Sequence, residues 1–272
     1  MGLLEFKRDE YSQNGEDGIL HHIFDLIGAE AMTCCEFGAW DGLHLSNTRK
    51  LLLAGWSGLL IEANFKRYEK LKQNYSMIPR VKCVCGLVDS SKFIEDALAD
   101  NGFSSLDLLS IDIDGLDYYM MQGLLIRPRL ICIEVNAGHS PESKEPLPRS
   151  LVENIGQRLD VFCQTGKTLG YRLIGFNGNA FFLRNDITHK LLPEIDPVSA
   201  YLEYVDGISK AEKRWMYLVN RGLVTPYHQF MNDYLTSDRL GLSSVDISRA
   251  YAQSIIYRSR GIVRKFINLF CK

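Results

Sequence analysis

Apolar positions along the first two thirds of the chain fall into two alternating patterns. Short, nearly continuous apolar runs occur from Met32 to Phe37, from Ser57 to Ala63, and in "RVKCVCGLV" (80–88), "LDLLSIDID" (106–114) and "RPRLICIEVN" (127–136). Between them, stretches such as "SNTRKLLLAG" and "FKRYEKLKQNY" repeat their apolar residues at helical spacing. Strands that are apolar throughout are buried on both faces, so the alternation predicts a parallel sheet covered by helices on both sides. After the fifth run, "SLVENIGQRLDVFCQTGKTLG" (150–170) reads as a helix. In "YRLIGFNGNAFFLRND" two apolar runs flank Asn177-Gly178-Asn179, a signal for a tight hairpin.

Five parallel strands, a helix and a closing hairpin make an α/β chain with a mostly parallel, seven-stranded, Rossmann-like sheet. That is the strand inventory of the class I S-adenosylmethionine-dependent methyltransferase fold. A plain dinucleotide-binding domain is not expected to end in the hairpin. From about Pro193 onward the pattern is helical only, which predicts a domain over 1–190 and a helical extension over 191–272 serving as a cap or oligomerisation arm. There is no internal repeat and no low-complexity tract.

Composition narrows the function classes. The 272 residues carry a formal net charge of −2, so no general basic field favours nucleic acid as a partner. The opening "MGLLEFKRDEYSQ" has no long apolar core, and no apolar run approaches the roughly 18 residues of a membrane span, so a cytoplasmic location is expected. Seven cysteines, among them Cys34, Cys35, Cys83, Cys85, Cys132 and Cys163, lie mostly in strand-like runs without CxxC pairs, and are expected to be buried, reduced thiols.

In open α/β sheets the ligand binds beyond the carboxyl ends of the strands. Here the first strand ends in Glu36-Phe37-Gly38-Ala39-Trp40-Asp41-Gly42, the second in Glu62-Ala63-Asn64, the fourth in Asp112-Ile113-Asp114-Gly115 and the fifth in Glu134-Val135-Asn136. A glycine-bearing loop with Glu36 and Asp41, lacking GxGxxG spacing, suits a ligand with an amine and a sulfonium better than a pyrophosphate. The same acids would also fit an ordinary turn with solvated carboxylates. Glu62 at a strand end can accept two hydrogen bonds from a ribose diol, which indicates adenosine more than methyl transfer.

The ordered segments "YSQNGEDGIL", "CEFGAWDGLHLSNTRKLLLAGWSGLLIEANFKRYEKL", "LSIDIDGLDYYMMQGL" and "LICIEVNA" resemble the FkbM-type family of S-adenosylmethionine-dependent methyltransferases, over roughly Tyr11 to Asp186. The resemblance implies O-methylation of a sugar or sugar nucleotide, in polysaccharide or natural-product pathways, with S-adenosylmethionine as donor. It implies that Glu36, Gly38 and Asp41 face the methionine part and that Glu62, with Ala63 beside it, takes the ribose. Ser12, Gln13, Asp17, Asn47 and Thr48 would close over the amino-acid end. Many members carry lysine where this chain has Ser110.

The fourth strand end is also similar to metal-dependent sugar O-methyltransferases. That similarity implies Asp112, Glu134 and Asn136 as ligands of Mg²⁺ or Mn²⁺, Asp112 lying beside the donor as well, with Asp114 as the base. His139 in "NAGHSPES" is a rival base, with an ordinary pKa near neutrality. Asp117 is expected in the first turn of the next helix, facing its positive dipole end, and His21-His22 on an amphipathic helix without chemical duty. "IDIDG" also supports another enzyme, a metal-dependent glycosyltransferase holding a nucleotide sugar through Asp112-x-Asp114. A third reading is non-enzymatic: Arg249, Arg258, Arg260, Arg264 and Lys265 among apolar residues of the tail would make an interfacial helix on anionic lipid or a partner-binding arm. A tail packed on the domain or on a second copy in a homo-oligomer is the alternative. The loop 138–149 and Trp215, Tyr217 and Tyr227 are the candidate acceptor walls.

Overall fold

In the computed structural model, residues 2–88, 90–113, 115–143, 147, 149, 152–153 and 156–208 are described. The five apolar runs become parallel strands β1 (Thr33–Phe37), β2 (Ser57–Glu62), β3 (Val81–Cys85), β4 (Leu108–Ile111) and β5 (Leu130–Glu134). The chain then turns through β6 (Tyr171–Phe176) and β7 (Asn179–Arg184). Strand order across the seven-stranded sheet is β3-β2-β1-β4-β5-β7-β6, and β7 runs antiparallel to both neighbours. This is the mostly parallel, Rossmann-like sheet that the patterning predicts, with Asn177-Gly178 at the hairpin tip.

Helix α1 (Glu16–Ile27) precedes β1, helices α2 (Arg49–Leu53), α3 (Phe65–Asn74), α4 (Ser91–Asp100) and α5 (Asp117–Gln122) fill the crossovers, and α6 (Leu159–Leu169) and α7 (Pro197–Gly207) follow. Their starts are local chemistry. The Asn64 side chain accepts the N–H groups of Lys66 and Arg67, and Ser90 accepts that of Phe93, each replacing a partner that the first helical turn lacks. One expectation is refined: the stretch 150–170 is not one continuous helix, since Val152 and Glu153 are helical, 156–158 are not, and α6 starts at Leu159. Arg158 is extended, Gly156 takes a positive φ, and Gln157 accepts the N–H of Asn136, so this stretch runs beside the β5 exit.

At the amino edge of the sheet, Asp107 is a buried node that the sequence reading did not single out. It accepts the N–H groups of Glu30 (2.8 Å), Ala31 (2.9 Å) and Thr33 (3.3 Å), and pairs with buried Arg129 at 3.0 Å. Arg129 also gives hydrogen bonds to the carbonyls of Gly28 (2.6 Å) and Ile27 (3.3 Å). The pair thus fixes where α1 ends and β1 enters the core.

The chain divides into two compact units, Met1–Gly207 and Ile208–Lys272, and α7 belongs to the first, with Tyr204 edge-on to Phe176. Residues 209–272 lie outside the described part, and with them Trp215, Tyr217, Tyr227 and the basic tail. Among the described residues, no helix is long and apolar enough to cross a membrane. Cys34, Cys35, Cys132 and Cys163 are buried free thiols as expected, but Cys83 is half-buried and Cys85 exposed, because β3 is an edge strand and Cys85 its last residue.

Candidate active site at the carboxyl edge of the sheet

Register places the strand-end acids in one line. Ile61, Phe37, Ile111, Ile133 and Ala180 are successive partners across β2, β1, β4, β5 and β7, and all are buried. One residue further along the parallel strands come Glu62, Gly38, Asp112 and Glu134, and Glu134 pairs with Asn179. A single step changes the sheet from apolar to polar. With strands about 4.8 Å apart, the backbones of Glu62 and Asp112 are about 10 Å apart. They flank the point where strand order reverses, between β1 and β4.

Two glycines shape the loop after β1. Gly38 has φ 70°, and a Cβ there would overlap the carbonyl oxygen of Asp112, so the first loop rests directly on the β4 exit. Gly42, also at φ 70°, fits against Tyr75 and Leu71. Buried Glu62 accepts the Trp40 N–H at 3.0 Å through Oε2 and the Asn64 N–H at 2.6 Å through Oε1. A carboxylate has about four acceptor positions, so each oxygen retains one for a ligand. Ala63 beside it is exposed.

Asp41 is committed to its own turn. It accepts the N–H groups of Leu43 and His44 at 3.0 Å each, and the His44 ring at 2.8 Å. Burial pushes its carboxyl up, but these hydrogen bonds prevail and hold it below the usual range.

Glu36 lies deeper, 4% exposed, and accepts the hydroxyls of Ser46 (2.7 Å) and Thr48 (2.6 Å) and the N–H of Asn47 (2.8 Å). Burial raises its pKa, and the hydrogen bonds only partly offset this, so it titrates above an ordinary glutamate. The Asn47 amide then reaches the Ser110 hydroxyl at 3.1 Å, so Ser110 joins this network. Glu36, Asn47 and Thr48 are therefore brought together as a buried floor.

The amino-terminal segment is folded around Asp17, whose Oδ2 accepts the N–H groups of Glu10, Tyr11 and Ser12 and the Ser12 hydroxyl. Gln13 is exposed. Glu16, fully buried, was not foreseen as a site residue. It accepts the side-chain amides of Asn177 (3.0 Å) and Asn179 (2.9 Å) and so ties the hairpin tip to the start of α1. The signal was present in "NGED" and "NGN", but a tip asparagine reads first as a turn former.

At the β4 and β5 exits, Asp112 is half-buried and Glu134 exposed, while Asp114 lies outside the described residues. Asp117 does more than face a helix dipole: it is buried and accepts the N–H groups of Ile113 (2.9 Å) and Gly115 (2.8 Å), shaping the loop around position 114. Asn136 uses its amide oxygen on the Gly138 N–H at 2.9 Å. Among the described residues, no group of three or more His, Cys, Asp and Glu is arranged to hold a metal. His139 is 8% exposed, and its Nε2 has no partner. Burial, and then the charge of Arg158, lower its pKa below the usual imidazole value.

No protein-family model matches the sequence, and no curated protein matches it. Among solved structures, the chain is similar to an O-methyltransferase family protein from Burkholderia thailandensis at 10% identity and TM-score 0.39, with 62% of this chain and 57% of that one covered. It is similar to the amino-terminal domain of EvdMO1 with S-adenosylhomocysteine bound, at 10% identity and TM-score 0.39, covering 63% and 80%. A third is the mitomycin 7-O-methyltransferase MmcR, at 15% identity and TM-score 0.35, covering 56% and 48%. The chain thus spans little more than half the length of the first of these and about half of the third.

Proposed function

We propose that the chain is an FkbM-type, S-adenosylmethionine-dependent O-methyltransferase acting on a hydroxyl of a sugar or sugar nucleotide. The observation that carries this reading is the polar row Glu62, Gly38, Asp112, Glu134 and Asn179, centred on the switch point of a sheet whose β7 alone opposes its neighbours. Glu62 keeps acceptor capacity for a ribose diol, and Gly38 allows main chain to approach a ligand with no side chain between. The buried, unpartnered Oδ1 of Asp17 fits an ammonium group. Bound against these residues, S-adenosylmethionine supplies an electrophilic methyl group.

The acceptor side is bounded by Asp112, Glu134 and Asn179, whose oxygens suit the donors of a polyol. Positioning of the hydroxyl supplies much of the rate in such a transfer. His139 is the favoured base: its unpartnered Nε2 and depressed pKa keep it neutral and able to accept a proton near pH 7. Asp112 and Glu134 offer two hard oxygen ligands to Mg²⁺ or Mn²⁺, but among the described residues no group of three or more His, Cys, Asp and Glu is arranged to hold a metal, so the set does not fit one well and no step here relies on one.

A methyl-transfer screen over nucleotide sugars, with and without chelator, tests this. Activity is expected to survive chelation and to fall about 100-fold in kcat in His139→Asn, the scale of a lost general base. The wild-type rate is expected to drop as pH falls through the His139 pKa, below the ordinary 6.5, because the base must be unprotonated. An unchanged kcat in His139→Asn beside a collapse in Asp114→Asn would move the base to Asp114.

A further inference from the structure

Trp40 stands at a backbone position that suits glycine. The Gly42 N–H closes a tight turn on the Ala39 carbonyl at 2.7 Å, and inside that turn Trp40 takes φ 49°, a left-handed conformation that a residue with a Cβ rarely adopts. Such a conformation persists where the surrounding contacts fix it.

Those contacts form a closed circuit. The Trp40 N–H donates to Glu62 Oε2 at 3.0 Å, and the Asn64 N–H donates to Glu62 Oε1 at 2.6 Å. Asn64, as the cap of α3, accepts the Arg67 N–H on its Oδ1 at 3.3 Å. The Arg67 guanidinium then lies over the Trp40 ring, 4.7 Å from its centroid, and returns the circuit to its start. Helix α3 and the residue after it hold the next two turn residues as well: the Asn74 amide donates to the Asp41 carbonyl at 2.9 Å, and the Tyr75 hydroxyl to the Gly42 carbonyl at 2.7 Å. Three successive residues of the turn are thus gripped from α3, and Arg67 takes the one whose N–H meets Glu62.

We infer that Arg67 is a positioning residue for recognition of the donor's ribose: stacked on Trp40, it holds the turn so that the Trp40 and Asn64 N–H groups fix the Glu62 carboxylate in one orientation toward the diol. This rests on the methyltransferase reading above and deepens it by giving Arg67 a role exerted through Glu62. A planar guanidinium suits the task, because it covers an indole face while staying half in water. Glycine at position 40 would accept the backbone but leave Arg67 no ring to hold. A carboxylate fixed in advance loses less freedom when the ligand arrives.

Calorimetric titration of the full chain with S-adenosylhomocysteine, as a double-mutant cycle over Arg67→Met and Glu62→Ala, tests the role. Arg67→Met keeps an unbranched stem and removes the planar cation. It is expected to weaken binding about three- to fivefold in the wild-type background, the equivalent of a partly exposed cation–π contact. In the Glu62→Ala background it is expected to change binding by less than about twofold, because the residue it acts through is gone. Trp40→Gly, although it suits φ 49° better, is expected to weaken binding at least as much as Arg67→Met does. Equal losses from Arg67→Met in both backgrounds would mean that Arg67 meets the donor itself, and would overturn the positioning role while leaving the donor reading intact. Unchanged affinity in Arg67→Met or in Trp40→Gly would overturn it too. If the wild-type chain does not bind S-adenosylhomocysteine, the donor reading itself fails, and the role of Arg67 with it. Should thermal melting show that Trp40→Gly does not fold, the cycle decides alone.

Discussion

Asp107→Ala is expected to lower the stability of the folded chain by about 3–5 kcal/mol, the usual cost of removing one partner from a buried ion pair. The variant leaves Arg129, 6% exposed, with the largely exposed Glu30 carboxylate, 3.2 Å from its Nε, as its remaining counter-charge, and also takes the acceptor from three main-chain N–H groups where α1 hands over to β1. Urea unfolding followed by circular dichroism measures the loss, and a change under about 1 kcal/mol would contradict it. The same residue gives an acid signature. Burial raises the Asp107 pKa, but the Glu30 N–H, Arg129 and the Ala31 and Thr33 N–H groups outweigh it, so the carboxyl titrates below an ordinary aspartate. A depressed carboxyl contributes stability that is present above the unfolded value near 3.9 and is lost as pH falls through the folded value. Asp107→Asn, which removes the titration, is expected to flatten this acid limb.

The second large effect is expected from Gly38→Ala. An L residue at φ 70° costs about 1–2 kcal/mol, and overpacking typically adds about 1–3 kcal/mol. The obstructing atom is the main-chain oxygen of Asp112, which cannot rotate aside as a side chain would. Relief requires the β1 loop or the β4 exit to move, which pulls Trp40 from Glu62 or displaces Asp112. Thermal melting should show the destabilisation, and S-adenosylhomocysteine affinity should collapse with it. A variant that melts and binds like wild type would mean that the first loop and the β4 exit do not form one site.

The sheet was legible because strands buried on both faces must be continuously apolar, and Asn177-Gly178 marks its closing hairpin. The strand-end acids were legible for the same reason: Glu62, Asp112 and Glu134 interrupt runs that are otherwise core. Their alignment in one row was not, since register depends on partners far apart in sequence. Side-chain commitments were hidden as well. Asp41 and Asn136 look like ligands in the sequence, yet hydrogen bonds within their own loops occupy them. Conversely, Glu16, Arg67 and Asp107 sit in helical or strand-like stretches where a charged residue reads as solvent-facing, and only tertiary contacts reveal their positions. The break at 156–158 ahead of α6 was hidden because apolar spacing continues through Gly156, whose left-handed φ is set by backbone geometry and not by periodicity.

Titration of the full chain with S-adenosylhomocysteine, wild type beside Glu62→Ala, tests the central claim most directly. Saturable binding that weakens about 100-fold in Glu62→Ala is predicted, since two charge-assisted hydrogen bonds to the ribose are lost. No binding of S-adenosylhomocysteine, together with metal-dependent binding of a nucleotide sugar that requires Asp112, would contradict it and favour the glycosyltransferase instead.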